Sequence, residues 1–316
     1  MLAVRRGDAA MKARTALLMT VPPLMWAGNA VLGRLLVGHI PPQTLNFSRW
    51  ALAAILLAPL GWQALRDWRV IASAWPYLLV IGCLGVGAYN ALQYLALTTT
   101  TALNVTLIAA SMPLWMLAVG AVGFSQRPTS RQIAGAVLSL AGVMVVVSRG
   151  SWSTLVQVQL VAGDVYILIA ALCWATYSWL LAQPPALLRP PPRATLQAWG
   201  WAGILLLQML FGLLAAGSAA LGEAALLAHA AVDWRNGWLL AALLFLAVGP
   251  SILAYRCWGL GVALGGPALA SFFANLTPLF AALLSALLLG EAPRGYHAMA
   301  FALIVGGILV SSRQRR

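Results

Sequence analysis

Apolar residues occupy this chain in long uninterrupted blocks, with polar residues gathered into short stretches between them. About 20 consecutive apolar residues suffice to cross a bilayer as an α-helix. Only helices and closed barrels satisfy their own backbone hydrogen bonds in lipid, and the blocks lack the period-two alternation of barrel strands. The pattern therefore predicts helices over 15–37, 43–62, 72–96, 101–123, 129–148, 163–182, 195–218, 237–259, 267–289 and 294–312. The expected fold is an all-α integral membrane protein with ten transmembrane helices, its tails and loops too short for a second, soluble domain.

The pattern also repeats. At one constant offset Ala109 falls on Ala274, Pro113 on Pro278, Leu114 on Leu279, Ala121 on Ala286, Pro128 on Pro293, Leu138 on Leu303, Gly142 on Gly307 and Val145 on Val310. At a second offset Trp26 falls on Trp174, Asn29 on Tyr177 and Ala30 on Ser178. Shared apolar residues arise by chance, but prolines aligned at a helix start and at a helix middle do not come so easily. The expectation is two five-helix repeats, 1–148 and 149–316. Five is odd, so the second copy enters the membrane from the opposite side, an arrangement typical of secondary transporters.

Composition reinforces the membrane reading: 62% of the 316 residues are hydrophobic and 8% charged, too little polar surface for a soluble protein. The net charge of +13 raises nucleic acid as a partner, but its distribution argues against that. With a cytoplasmic start, some fourteen arginines and lysines fall on the cytoplasmic side and four (Arg34, Arg149, Arg235, Arg294) opposite, which places both termini in the cytoplasm of a bacterial-type inner membrane. Cys83, Cys173 and Cys257 lie within spans without metal-ligand spacing, and no cofactor or metal is expected.

The first span carries Met25-Trp26-Ala27-Gly28-Asn29, the second Asn46-Phe47-Ser48-Arg49-Trp50 followed by an alanine-rich run, and the ninth ends Leu289-Gly290-Glu291 before Pro293. In this order these segments resemble the EamA-type members of the drug/metabolite transporter superfamily, over almost the whole chain. Ala27 stands where that family favours glycine, and Ser125-Gln126 where its first half often keeps Gly-Glu. The resemblance implies a secondary transporter for small metabolites, nearest the amino acid exporters and the aromatic amino acid exporter group among them. It also implies a cavity ringed by spans 1, 3, 4, 6, 8 and 9, with spans 5 and 10 peripheral.

The spans themselves offer neutral polar and aromatic side chains on helical faces: Trp26 and Asn29 in the first, Tyr89, Asn90, Gln93 and Tyr94 in the third, Asn104 and Ser111 in the fourth, Trp174, Tyr177 and Ser178 in the sixth, Tyr255 in the eighth, Ser271 and Asn275 in the ninth. Such residues also bind helices to one another, so each reading stays open between substrate pocket and packing. The set is expected to face a central cavity for a small polar metabolite, an amino acid by preference; nucleobases, sugars, drugs or a metabolite-permeable pore are the alternatives.

Pro113 and Pro278, read as mid-helix prolines, release the carbonyls of Ala109 and Ala274, either as substrate acceptors or as a packing kink. Arg34 and Arg49 can snorkel to headgroups; turned inward, either would attract a carboxylate or line a gate. The six acids, Asp8, Asp67, Asp164, Glu223, Asp233 and Glu291, all fall in tails, loops or helix ends, which favours a facilitator or exchanger over a carboxylate proton relay. An enzyme lacks a mid-span base or metal-ligand cluster. Oligomeric state is not encoded in any of these patterns.

Overall fold

The computed structural model describes residues 2–100, 105, 108–156, 161–185, 195–226, 232–289 and 295–312. Among these the secondary structure is helical: α1 (Leu2–Leu35), α2 (Pro42–Arg66), α3 (Trp68–Gly82), α4 (Tyr89–Leu97), α5 (Met112–Gly123), α6 (Ser130–Val147), the short α7 (Trp152–Val156), α8 (Ala162–Ala182), α9 (Thr195–Leu226), α10 (Gly237–Leu246), α11 (Ala254–Ala274), α12 (Thr277–Leu289) and α13 (Gly295–Ser312). Among the described residues, seven segments are long and apolar enough to cross a membrane: Thr15–Gly33, Trp68–Ala96, Ser130–Val147, Ala162–Ala182, Gly200–Ala225, Gly237–Ala274 and Gly295–Ser312. The outer surfaces of the helices present large apolar side chains such as Ile55, Leu60, Val122, Leu214 and Leu221, as a lipid-facing surface requires.

Most boundaries follow the sequence. Span 129–148 becomes α6, whose start is fixed by a reciprocal cap between Thr129 and Gln132. Span 195–218 runs further, to Leu226, and bends at Gly200, whose φ of 58° only glycine adopts readily. The described helix also continues past residue 259, turns at Gly266 (φ 81°) ahead of Pro267, and ends at Ala274.

Two expectations are corrected. Ser111 is a turn that precedes α5, and Asn275-Leu276 is a turn that precedes α12. Pro113 and Pro278 therefore sit in the first turns of helices, where a missing N–H costs nothing, and not in mid-helix. The carbonyl of Ala274 is taken by the Thr277 hydroxyl at 2.7 Å, so it is not held open for a ligand.

Two π turns interrupt the long helices, Cys83–Ala88 between α3 and α4 and Ala247–Leu253 between α10 and α11. Glycines 85 and 87 in the first and Gly249 in the second lie against neighbouring side chains, Tyr177, Ala215 and Met25. Pro250 removes a donor from the second, and the carbonyl of Leu246, four residues earlier, receives the Ser251 hydroxyl at 2.8 Å.

Small residues let two helix pairs close tightly. A Cβ on Gly135 would lie 2.6 Å from the Gly307 carbonyl oxygen, and one on Gly142 would lie 2.9 Å from that of Ala300. As numbering rises along α6 it falls along α13, so this pair is antiparallel, and its glycines are consumed within one chain. Helices α2 and α9 pair likewise: Gly61 abuts Ala202 and Leu206, while Phe47 lies near Gly217. Glu223 closes this second pair by accepting from the backbone N–H groups of Gln43 (3.0 Å) and Thr44 (2.8 Å) and from the Thr44 hydroxyl (3.0 Å). It thus caps the start of α2, where the helix dipole favours an anion.

Candidate functional site

Trp174 on α8 is 1% exposed and stands at the centre of an aromatic cluster. Its ring centroid lies 5.3 Å from Trp26 (α1), 4.7 Å from Tyr89 (α4), 5.0 Å from Tyr177, 5.4 Å from Tyr255 and 5.2 Å from Trp258 (both α11). Trp50 (α2) adds a T-shaped contact to Tyr255 at 4.9 Å. Edge-to-face and tilted pairs like these place ring hydrogens against neighbouring π faces.

Polar partners fix the ring orientations. Ser178 donates to the Trp174 carbonyl (2.8 Å) and accepts from Trp258 Nε1 (3.1 Å). Gln208 Nε2 donates to the Tyr177 hydroxyl at 2.9 Å. Tyr255 donates its hydroxyl to the carbonyl of Gly85, an oxygen exposed by the first π turn, and accepts from Asn90 Nδ2 at 3.3 Å. Every one of these bonds serves a buried polar atom that would otherwise be costly.

Trp26, Tyr89, Asn90, Trp174, Tyr177, Ser178 and Tyr255 thus converge. Gln93 joins Tyr89 along a small cleft also lined by Ala109, Met112, Ile167, Ala170 and Ala171. The space there is about that of one water molecule.

Other candidates lie elsewhere. Asn275, in the turn before α12, donates to the Ala110 carbonyl (3.2 Å) and to Ser139 Oγ (2.8 Å), which directs it toward α6 and away from the aromatic rings. Ser271 is satisfied by the Ala268 carbonyl at 2.7 Å, and Ser111 by that of Ile108 at 2.6 Å. Asn104 lies outside the described residues; Arg34 belongs to α1.

Asn29 turns away from the rings and accepts from Arg49 Nη1 (2.9 Å) and from the Tyr94 hydroxyl (2.9 Å), while Arg49 Nη1 also donates to Tyr94 (2.7 Å). Arg49 is 1% exposed, so the snorkelling explanation is overturned: its α2 position points into the bundle. Tyr94 continues into an apolar plug of Leu36, Ile40, Leu45, Leu239, Leu243 and Leu246, where α1 ends and α2 and α10 begin. Asp164, read as lying at a helix end, is in the first turn of α8, where it is 2% exposed and accepts from the Thr100 hydroxyl and the Val161 N–H.

Trp50 and Trp258 were not among the sequence candidates. Trp258 stands where the offset that puts Ala109 on Ala274 places Gln93, so that alignment could have found it. Trp50, beside an arginine near a span end, reads as an interfacial anchor.

An EamA-like transporter family model matches residues 13–148 and again 161–313, together most of the chain. The chain belongs to the EamA-like transporter family. It is a multi-pass membrane protein whose relatives are named as transporters. An uncharacterized transporter of Archaeoglobus fulgidus is 27% identical over 306 residues, covering 96% of this chain and 99% of that protein. A probable terminal-alkyne amino-acid exporter of Streptantibioticus cattleyicolor is 26% identical, covering 96% and 94%. The aromatic amino acid exporter YddG of Ancylobacter novellus is 25% identical, covering 92% and 93%. A solved crystal structure, 23% identical, superposes with a TM-score of 0.73 over 95% of this chain and 96% of the other, and shows the same fold.

Proposed function

We propose that this EamA-family chain is a secondary transporter that exports amino acids or similar small metabolites by alternating access, with its cargo held at the Trp174 cluster. The single observation that carries the reading is the composition of that cluster. Rings from α1, α2 and α4 meet rings from α8 and α11, so any rocking of one half against the other reshapes the site. Two relatives named as amino acid exporters support the cargo class.

Two inverted five-helix repeats, 1–148 and 149–316, in ten spans, belong to the same proposal. Three features support it. The family model matches the chain twice. The antiparallel helices α6 and α13 are repeat equivalents, since Gly142 aligns with Gly307, and equivalent helices run oppositely only if one copy is flipped. Finally, the hydrogen-bonded pairs Asn90–Tyr255 and Ala110–Asn275 are each 165 residues apart, the offset that separates Ala109 from Ala274. Residues related by a twofold axis touch only on that axis, and Trp26–Trp174, equivalent at the other offset, also touch.

The arginine bias supports both termini lying in the cytoplasm of a bacterial-type inner membrane. In that orientation the apolar plug around Tyr94 closes the outward end. The test is counterflow: liposomes holding the purified protein take up radiolabelled phenylalanine, with or without unlabelled amino acid preloaded inside. Saturable uptake accelerated by preloading is expected. Uptake that does not saturate and ignores preloading would point to a pore and overturn alternating access.

A further inference from the structure

Among the described residues, four buried side-chain atoms have no hydrogen-bond partner: Gln43 Oε1, Asn46 Oδ1, Arg49 Nε and Trp50 Nε1. All four belong to α2, spaced so that they form one stripe along one face of that helix. The stripe changes character along its length, with two acceptors in the first turns and two donors one turn later. Buried unsatisfied groups are few in native proteins, and four in register ask for a common cause.

Arg49 is the decisive member. Its guanidinium is buried, and its charge meets only neutral partners: the Asn29 amide oxygen, the Tyr94 hydroxyl, and the ring faces of Trp50 (4.9 Å to the centroid) and Tyr94 (5.8 Å). No carboxylate pairs with it among the described residues. A buried cation without a counter-ion is strongly disfavoured, far more than dipoles and ring faces repay. Water can satisfy the two acceptors, but it cannot neutralise the charge. Both described hydrogen bonds leave from Nη1, so the edge that carries Nε is unengaged, and that edge is one of those a guanidinium uses for a side-on, bidentate carboxylate.

We propose that this face of α2 binds the charged end of an organic acid, with its carboxylate side-on to Arg49 and its second oxygen within the reach of Trp50 Nε1. Asn46 Oδ1, one turn earlier, is the acceptor for an ammonium where the acid is a zwitterion. Trp50 also packs on Tyr255, which makes the stripe continuous with the Trp174 cluster: the charged end on α2, the side chain among the rings. The assignment rests on the transporter reading for its physiological meaning, but not for its test.

That test is equilibrium binding to the full chain in detergent, read as thermal stabilisation by sodium benzoate, by its neutral isostere benzamide and by sodium chloride at matched ionic strength. Benzoate is expected to raise the midpoint where benzamide and chloride do not. Arg49→Gln should abolish the difference and Arg49→Lys should weaken benzoate at least about tenfold, since an ammonium lacks the side-on fork. Should Arg49→Gln fail to fold, Trp50→Phe keeps the cation, removes the second donor, and is expected to weaken benzoate about fivefold. Equal stabilisation by benzoate and benzamide overturns the proposal, as does a benzoate effect undiminished in the folded variants. An equal effect of chloride replaces the carboxylate assignment with a simple halide site. Failure of counterflow with intact Arg49-dependent benzoate binding would sink the transport reading alone.

Discussion

Asn275 Nδ2 lies 2.8 Å from Ser139 Oγ and 3.2 Å from the carbonyl of Ala110, so one amide ties the turn before α12 to α6 and to the helical residues just ahead of the Ser111 turn. It is 2% exposed and Ser139 is fully buried. Asn275→Ala strands both acceptors. Polar bonds between membrane helices contribute about 0.6 kcal/mol each, rarely much above 1.5, so a loss of about 1–2 kcal/mol is expected. Ser139→Ala removes only one bond and should cost less. Thermal unfolding in detergent would check the order, and an Asn275→Ala midpoint above that of Ser139→Ala would contradict it.

The α6–α13 interface predicts a sharper contrast. Gly135→Ala would drive a methyl to within 2.6 Å of the Gly307 carbonyl, backbone that cannot yield without parting the helices. Gly123, at the end of α5, has nothing within 4 Å of the same methyl. Gly135→Ala should lower the yield of monodisperse protein on gel filtration several-fold, while Gly123→Ala should be neutral or slightly stabilising, alanine being the better helix former. Equal behaviour of the two would remove the close packing as an explanation.

These two interfaces also show where the sequence was readable. The apolar helices were legible because a bilayer demands about 20 apolar residues and little else supplies them, although ten spans were expected and seven segments of that length are found among the described residues. Glycines 135, 142 and 307 were legible as small, but whether they joined helices of one chain or of two depended on the fold. The breaks at Ser111 and Asn275 were misplaced because a proline among apolar residues reads as a kink, whereas its own geometry suits a helix start. At the candidate site the repeat exposed Trp26 and Trp174. Arg49 near a span end carries the same local signal whether it snorkels outward or turns in. Only packing around Asn29 and Tyr94 distinguishes the two.

Glu223 sits at a helix end for a reason that composition did not reveal: it caps α2 from α9 through three hydrogen bonds. Charge-assisted caps at helix starts contribute about 0.5–2 kcal/mol. Glu223→Ala should therefore destabilise by about 1–2 kcal/mol, with Glu223→Gln intermediate because the amide still offers one acceptor oxygen but no charge. Denaturation monitored by tryptophan fluorescence would resolve the series. A Glu223→Gln variant as stable as the parent would show that the bonds matter and the charge does not.

Trp174 separates a packing role from a transport role. Its ring touches five aromatic neighbours, among them rings from α1, α4 and α11. Truncation to alanine removes so much buried surface that lost activity would be ambiguous: aromatic-to-alanine changes in cores cost about 3–5 kcal/mol. Trp174→Phe is the informative change. It keeps an aromatic ring and loses part of the volume, and it leaves Ser178 bonded to the same backbone carbonyl. If the cluster holds cargo, counterflow of phenylalanine should fall at least about tenfold in Trp174→Phe while its thermal midpoint moves by only a few degrees. Ser271→Ala provides the contrast, because Ser271 bonds only within its own helix and should leave counterflow within about twofold of the parent. A Trp174→Phe protein that is stable and transports normally would take the cargo away from these rings.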